Sequence, residues 1–504
     1  MNHWLIAPIL LPAVLAPLML LFLRRRLAAS RALSIGACAA LVGLACALVA
    51  QADTGAIQTY ELGDWPAPFG IVLVLDRLSA MMVLIASLLA LAVMSYAVVT
   101  GIDRKGWHFH PLFQFQLLGL NGAFLTGDVF NLFVFFEVLL IASYGLMLHG
   151  GGAARLKAGV QYVVINLVGS TLFLVAVGLL YGATGTLNMA HMGQRVAEAP
   201  PGDHGLILAG GLLLIAVFGL KAALVPLHFW LPRTYASTTA PVAALFAVMT
   251  KVGAYCILRF TTLTFGEAAG ELAWAPSPWL LPAALATLAI GYLGVLAARQ
   301  LRDLAAFSVI GSMGTLLCAI AVFSPQATAA ALYYLPHSTF ATAALFLIVD
   351  IIAARRGDYG DTLAPSPPFV QAGVLSALFM LAAVAVVGLP PLSGFPGKLL
   401  VLDAMRGVEG GWWVWGFVLG TTVLGLLAFA RAGSAIFWKS RETTGELHAA
   451  APVAPGAAPA VAAALLLLLV GLTFAGGPVT AYLNATAAQL YNPADYAAAV
   501  LKGR

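Results

Sequence analysis

The sequence predicts an all-helical polytopic membrane protein with about fourteen transmembrane helices. Of its 504 residues, 62% are hydrophobic and 9% are charged, which is typical of a membrane protein and not of a soluble globular domain. Apolar runs recur along the chain, and Lys and Arg are concentrated in alternate loops. We therefore expect one membrane domain over residues 1–504, embedded in the lipid bilayer. The net charge of +5 belongs to loops on one side and does not indicate a nucleic-acid partner.

The first apolar run is predicted to be a retained transmembrane helix. Its charges, Arg24, Arg25 and Arg26, follow the run, whereas a signal peptide carries its charges before the run. Similar runs follow along the rest of the chain. The predicted spans are 4–23, 32–51, 71–99, 111–127, 129–148, 159–182, 206–231, 238–261, 277–298, 303–323, 326–353, 370–405, 411–437 and 455–475.

The distribution of basic residues predicts the orientation. With the N-terminus outside, sixteen of the 25 Lys and Arg residues fall in inside loops and six fall outside, which is a positive-inside bias. We therefore expect both termini outside. The outside segments 52–70 and 183–205 are expected to form surface loops or short hairpins, and the tail 480–504 is expected to form a short interfacial helix.

Two spans are interrupted by prolines close to a lysine. Pro226 interrupts the seventh span five residues after Lys221, and a group of prolines interrupts the twelfth before Lys398. The prolines of the twelfth span are Pro390, Pro391 and Pro396. Because the two spans are five apart, they cross in opposite directions, and paired interrupted spans are typical of transporters built from inverted repeats.

Three ionisable residues lie deep in predicted spans five, seven and eight. Glu137, Lys221 and Lys251 are each too far from a span end for the side chain to reach water, and such residues are functional by default. Glu137 is the candidate partner of Lys221. The alternative is a structural role, in which each group is hydrogen-bonded to a neighbouring helix.

Further candidates lie in the second half of the chain and beside Pro226. His337 is placed to act as a relay between the lysines of the two halves, and Thr342 is close enough to hold water for a proton wire. Lys398 is the candidate terminal group. His228, two residues after Pro226, is a candidate for proton access. For both histidines, the alternative is a structural hydrogen bond.

The remaining charged residues are interpreted as structural. Asp76 and Arg77 are expected to pair with each other, and Asp350 is one turn from Arg355 and Arg356. Four histidines are expected at the surface: His108, His110, His149 and His204. The four cysteines have no CxxC spacing, and no dinucleotide fingerprint is present, so we expect no metal site and no cofactor.

Four stretches resemble the antiporter-like subunits that Mrp-type cation/proton antiporters share with respiratory complex I. The resemblance covers most of the chain, from the third to the thirteenth span, and within it the chain is most similar to the D-subunit family of the Mrp (Mnh, Sha or Pha) antiporters. The stretches are FNLFVFFEVLLIASYGLM, GLKAALVPLHFWLPRTYASTTAPVAALFAVMTKVGAY, LRDLAAFSVIGSMG and GLPPLSGFPGKLL.

The resemblance implies a fold and a set of roles. It implies two inverted five-helix repeats, here 111–261 and 277–437, each with one discontinuous helix, the seventh and the twelfth. Three N-terminal helices (4–99) precede the repeats, and the last helix (455–475) and the tail (480–504) follow them. It also implies a multi-pass subunit of the cell's inner (plasma) membrane, assembled with the A, B, C, E, F and G subunits.

The resemblance also implies a line of relay residues. In it Glu137 pairs with Lys221, Lys251 and His337 continue a hydrophilic axis, and Lys398 ends it. The chain departs from the pattern of many relatives at one position, because Thr342 stands in HSTFATAALF where they have a lysine. This departure places more of the central relay on His337.

Taken together, the sequence predicts a subunit that couples proton movement to export of Na⁺ or K⁺ and is not itself an enzyme. One alternative is the same device in a redox-driven pump, as a membrane subunit of a complex I-like NADH:quinone oxidoreductase or a membrane hydrogenase. A second is a scaffold whose buried charges only hold a complex together, and a third is a stand-alone transporter.

Overall fold

The computed structural model describes residues 3–439 and 456–502, which are helical apart from one short hairpin and connecting segments. The all-helical class is thus confirmed. In this part of the chain the α-helices are α1 (Ala7–Phe22), α2 (Leu27–Ala52), α3 (Arg77–Thr100), α4 (Phe109–Leu125), α5 (Val129–Met147), α6 (Ala153–Thr184), α7 (Met189–Ala197), α8 (His204–Lys221), α9 (Leu231–Ser237), α10 (Ala240–Thr264), α11 (Ser277–Ala297), α12 (Leu301–Ile320), α13 (Pro325–Arg355), α14 (Ala372–Val387), α15 (Gly394–Ala404), α16 (Gly411–Gly433), α17 (Ala457–Phe474), α18 (Gly476–Leu490) and α19 (Pro493–Leu501).

Eleven of the described helices are long and apolar enough to cross a membrane, and α1 and α14 are shorter apolar helices. The predicted beginning of the last span at residue 455 and the end of the tail at 503–504 lie outside the described residues. Three helices form the buried centre: α10, in which every residue is buried, and α12 and α13, which are buried over most of their length.

The third predicted span, 71–99, begins too early. Strand β2 (Val72–Leu75) pairs antiparallel with β1 (Gln58–Glu61), and α3 begins only at Arg77. Asp76 decides this boundary, because its side chain accepts a hydrogen bond from the Ser79 main-chain nitrogen and caps the helix. The apolar run therefore continues through a buried strand and a capping residue before it enters the helix.

Two connecting regions are more regular than the sequence predicted. Segment 183–205 contains helix α7, and the Asn188 side chain caps it by accepting from the main-chain nitrogens of Ala190 and His191. The tail forms two helices, α18 and α19, instead of one. Helix α18 packs against α13 and α3, so the tail is part of the folded bundle.

Both interrupted spans are discontinuous, as predicted. Residues 222–230 separate α8 from α9, and residues 388–393 separate α14 from α15. Pro396 does not take part in the second break, although the sequence suggested that it would. It lies in the first turn of α15, where the main-chain N–H has no partner within the helix and proline is tolerated.

Buried ion pairs form between distant segments and not between the neighbours that the sequence suggested. Asp76 does not pair with Arg77. It accepts hydrogen bonds from Arg259 of α10 at 2.5 and 2.8 Å between nitrogen and oxygen. Asp350 interacts with Arg302 (3.4 Å) and with the Tyr96 hydroxyl (3.0 Å). These contacts connect helices that are far apart in sequence.

Two histidines expected at the surface are buried instead. His149 contacts the Ile102 carbonyl oxygen at 2.9 Å, and His110 contacts Asp103 at 3.2 Å. Arg31 donates two hydrogen bonds of 2.6 Å to the same Asp103 carboxylate. Burial works to raise the pKa of Asp103, but the hydrogen bonds from Arg31 and His110 outweigh it and lower the pKa to about 2. Asp103 therefore fastens α2 to the beginning of α4.

Candidate functional site

The five predicted relay residues lie on five different helices of the bundle. Glu137 is near the middle of α5, and Lys221 is the last residue of α8. Lys251 is in α10, His337 in α13 and Lys398 in α15. The three lysines and the histidine are buried, and Glu137 is partly buried at the side of the bundle. The helices that carry them are linked in the same order, because α5 and α8 both pack on α6, α8 packs on α10, α10 on α13, and α13 on α15.

Glu137 and Lys221 lie within electrostatic range of each other but form no ion pair within 4 Å in the described part of the chain. Each is held by a different residue of α6. The Lys221 ammonium nitrogen donates to the Asn166 side-chain oxygen at 2.7 Å, and the Ser170 hydroxyl donates to the Glu137 carboxylate. Each group therefore makes its hydrogen bond to the intervening helix, while the two interact with each other electrostatically.

Asn166 and Ser170 were missed from the sequence. Their signal is the spacing of Tyr162, Asn166 and Ser170, which places three polar side chains one turn apart on one face of a helix. All three are buried, whereas the surrounding α6 residues include many exposed apolar side chains. A polar stripe in an apolar span implies partners on the neighbouring helices.

Lys251 is fully buried, and its ammonium nitrogen has no hydrogen-bond partner among the residues that the structure describes. Two residues further on, Gly253 packs against the end of α8. A Cβ atom at Gly253 would lie 2.6 Å from both the Phe218 carbonyl oxygen and the Ala222 main-chain nitrogen. Gly253 thus brings the helix of Lys251 close to the helix end that carries Lys221.

His337 links the central helix α13 to the second break. Its Nδ1 lies 2.9 Å from the Ser393 hydroxyl, and a Cβ at Gly394 would lie 2.8 Å from its Nε2. Both Lys251 and Lys398 lie within electrostatic range of the imidazole. Thr342 is on the same helix, and its hydroxyl donates to the Ser338 carbonyl oxygen at 2.7 Å. The Thr342 hydroxyl proton is therefore used within its own helix.

Lys398 is held by the break itself. Its ammonium nitrogen donates to the Val387 carbonyl oxygen at 2.7 Å and to the Thr422 hydroxyl at 2.8 Å. Val387 is the last residue of α14, so the positive charge lies at the C-terminal end of a helix, where the helix dipole favours it. The Tyr292 ring lies beneath the ammonium, with 5.4 Å between the nitrogen and the ring centroid.

His228 lies in the segment between α8 and α9 and is only partly buried. No hydrogen bond or ion pair in the described part of the chain joins it to the five predicted relay residues. It lies beside Pro226 at the break of the span, and its role in proton access stays a prediction.

The arrangement can change charge in steps along the bundle. Glu137 and Lys221 interact electrostatically, as do Lys251 with His337 and His337 with Lys398. Between Lys221 and Lys251 the connection is the packing of α10 on the end of α8. No group of three or more His, Cys, Asp or Glu side chains that could hold a metal ion occurs within residues 3–439 and 456–502.

Comparisons with known proteins identify similar chains. The family model for NADH:quinone oxidoreductase/Mrp antiporter, transmembrane, matches residues 126–425. The chain is 39% identical to the D subunit of a probable K⁺/H⁺ antiporter of Rhizobium meliloti (strain 1021), over 99% of this chain and 98% of that protein. It is 37% identical to the D subunit of a Na⁺/H⁺ antiporter of Bacillus subtilis (strain 168), over 100% of both chains.

Solved structures are also similar over the same length. One of them is the structure of the Mrp complex from Dietzia sp. DQ12-45-1b, one chain of which superimposes with a TM-score of 0.88. The sequence identity is 29%, and the match covers 99% of this chain and 100% of that chain. The similarity therefore extends over the N-terminal helices, both breaks and the tail.

Proposed function

This chain belongs to the NADH:quinone oxidoreductase/Mrp antiporter transmembrane family, and we propose that it is the D-type subunit of a multisubunit Na⁺/H⁺ or K⁺/H⁺ antiporter. In this proposal it is a transporter subunit and not an enzyme. Its full-length relatives are named as antiporter subunits, which favours the antiporter over a redox-driven pump. The transported cation remains Na⁺ or K⁺, because the two relatives are named for different ions.

The proposed chemistry is stepwise proton movement through Glu137, Lys221, Lys251, His337 and Lys398. The observation that carries it is the burial of a lysine without a hydrogen-bond partner among the described residues, Lys251, between two groups of interacting ionisable residues. A buried ammonium without a hydrogen-bond partner is costly, so the protonation state of Lys251 depends strongly on the charges nearby. A change of charge at one end of the line therefore alters the charge favoured at the next group.

The proposed architecture follows the family. The chain crosses the cell's plasma membrane fourteen times, with both termini outside and with inverted five-helix repeats over residues 111–261 and 277–437. Counting α14 and α15 together as one broken span, and adding the shorter helices α1 and α4 to the eleven long ones, supports this number. The A, B, C, E, F and G subunits are its proposed partners.

Helix α5 supplies an argument for such partners. Glu137 is only partly buried, although it lies in the middle of a span, and the same helix exposes the apolar side chains of Phe130, Val134 and Ile141. A carboxyl group facing lipid is costly. A neighbouring subunit packed on this face would remove that cost.

The test is proton movement by the assembled complex in vesicles that carry a cation gradient. We expect Glu137→Gln and Lys221→Met to abolish cation-dependent proton movement while the amount of complex stays normal. Glu198→Gln, which changes an exposed acidic residue outside the long helices, is the matched control and should behave as wild type. Full antiport in an assembled Glu137→Gln complex would contradict the proposal, and a loss of transport that only follows a loss of complex would favour a scaffold.

A further inference from the structure

Helix α6 presents one polar stripe to the rest of the bundle. Tyr162, Asn166 and Ser170 are buried on one face, and on the other faces α6 exposes apolar side chains such as Val164 and Leu167. The stripe is fully engaged. The Tyr162 hydroxyl lies 2.8 Å from the hydroxyl of a serine on α5, Asn166 binds Lys221, and Ser170 binds Glu137.

The Asn166 amide has a fixed orientation. Its side-chain nitrogen donates to the Tyr162 carbonyl oxygen at 2.8 Å, which leaves the side-chain oxygen directed at the Lys221 ammonium, 2.7 Å away. An amide oxygen accepts a hydrogen bond from a charged ammonium and also, more weakly, from a neutral amine. The Asn166 side-chain oxygen can therefore accept a hydrogen bond from Lys221 in either protonation state.

The Ser170 hydroxyl has the same property toward Glu137. It donates to the carboxylate, and a hydroxyl also accepts from a protonated carboxyl group. A direct Glu137–Lys221 ion pair would behave differently, because it stabilises the charged form of both groups and is lost when either is neutralised. Two neutral partners on α6 keep both groups in place and favour their charged forms less strongly than a direct ion pair would.

We propose that Asn166 and Ser170 are positioning residues that hold Lys221 and Glu137 apart, each through one hydrogen bond. Each of the two ionisable groups can then gain or lose a proton without breaking an ion pair. This inference rests on the proposed function, because it assigns a task to α6 only if Glu137 and Lys221 carry protons. Neither α6 residue exchanges a proton in this scheme. Their contribution is to prevent the direct pair from forming.

The experiment measures proton movement by the assembled complex in vesicles as a function of pH. Asn166→Leu and Ser170→Ala each remove one bond to a charged group, and we expect each to lower turnover about tenfold or more. We also expect the pH of half-maximal turnover to move, since the direct pair then selects charged forms. Thr171→Val is the control, because Thr171 is exposed and its hydroxyl donates only within α6, to the Leu167 carbonyl oxygen at 3.1 Å.

Two further variants separate positioning from folding. Ser170→Thr keeps the hydroxyl and should retain both the turnover and the pH profile. Infrared difference spectra should contain a carboxyl band that is absent in Glu137→Gln, is shifted in Ser170→Ala, and is unchanged in Thr171→Val. A purely structural role of Ser170 would not move this band, so the measurement remains decisive even if Asn166→Leu assembles poorly.

The outcomes distinguish this inference from the proposed function. If Glu137→Gln is inactive while Ser170→Ala keeps wild-type turnover, pH profile and carboxyl band, the positioning role is refuted and the proposed function stands. If Glu137→Gln itself transports normally, the proposed function fails, and the inference fails with it.

Discussion

The two broken spans hold their lysines by different means. At the first break, Lys221 ends α8 and donates to the side chain of Asn166 on a neighbouring helix. At the second break, Lys398 lies one turn into α15. It donates to the main-chain carbonyl of Val387, the last residue of α14, which is the other half of the same broken span. A proline-interrupted span with a lysine therefore predicts a buried cation and does not specify what binds it.

The difference has a chemical consequence. The first lysine has a carboxyl group, Glu137, within electrostatic range, and it donates to a side chain that a substitution can remove. The second has a main-chain partner that no substitution removes, and a hydroxyl partner besides. We infer that the first break is the adjustable end of the line and that the second is the anchored end.

The largest expected effect comes from Gly253, the glycine of α10 that packs against the first break. Gly253→Val places atoms against main chain of α8, which cannot move aside, so we expect a loss of about 3 kcal/mol in stability and little assembled complex. At the second break, a Cβ in Gly388→Ala would contact side-chain carbons of Lys398, and the residue would keep a φ of +81°, so the cost should be about 1–2 kcal/mol. Complex abundance and the midpoint of thermal unfolding measure both.

The matched control for these changes is Gly420→Val, because a Cβ at Gly420 has no atom within 4 Å. It should leave abundance unchanged. A Gly253→Val complex that is as abundant and as stable as wild type would show that close packing of α10 on α8 does not hold the first break together.

A smaller effect is expected from the hydroxyl that binds Lys398. Thr422→Val removes one of two hydrogen bonds, and the Val387 carbonyl remains, so we expect proton movement to fall less than about fivefold. This loss should be smaller than that caused by Asn166→Leu at the first break. Turnover measured in the same vesicles compares them, and an equal or greater loss for Thr422→Val would contradict the distinction between an adjustable and an anchored lysine.

A further effect concerns pH, and it distinguishes the helices that carry Glu137 and His337. Helix α5 is capped by Asp128, whereas α13 is capped by the non-titrating Ser324. Burial raises the pKa of the Asp128 carboxyl to about 6, against an opposing hydrogen bond from the Asn131 main chain. A raised carboxyl pKa favours the folded state at low pH, and this contribution is lost as the pH rises from about 4 to about 6.

The corresponding variants are Asp128→Asn and Ser324→Asn. Asn is also a good helix cap, so Asp128→Asn should keep α5 and remove the decline in stability between about pH 4 and pH 6. Ser324→Asn should leave that decline unaltered. Thermal unfolding of the complex across this range measures both, and an unchanged decline in Asp128→Asn would show that Asp128 is not its source.

The sequence by itself determined the membrane class, both breaks and the five candidate ionisable residues, four of which are buried. These follow from apolar length, from proline and from the cost of charge in a bilayer, and each of them can be recognised in a local stretch of the sequence. The sequence analysis missed the spacing of Tyr162, Asn166 and Ser170 in α6, because that spacing becomes meaningful only when a neighbouring charge is known.

Only the tertiary structure decided which groups are partners. The sequence suggested Glu137 for Lys221 and Arg77 for Asp76, whereas the hydrogen bonds are made by Asn166 and Arg259. The strand over Val72–Leu75 was also concealed within an apolar run, because its pairing partner is β1. Burial penalises an unpartnered polar group wherever it lies in the chain, but the identity of the partner depends on which helix faces pack together.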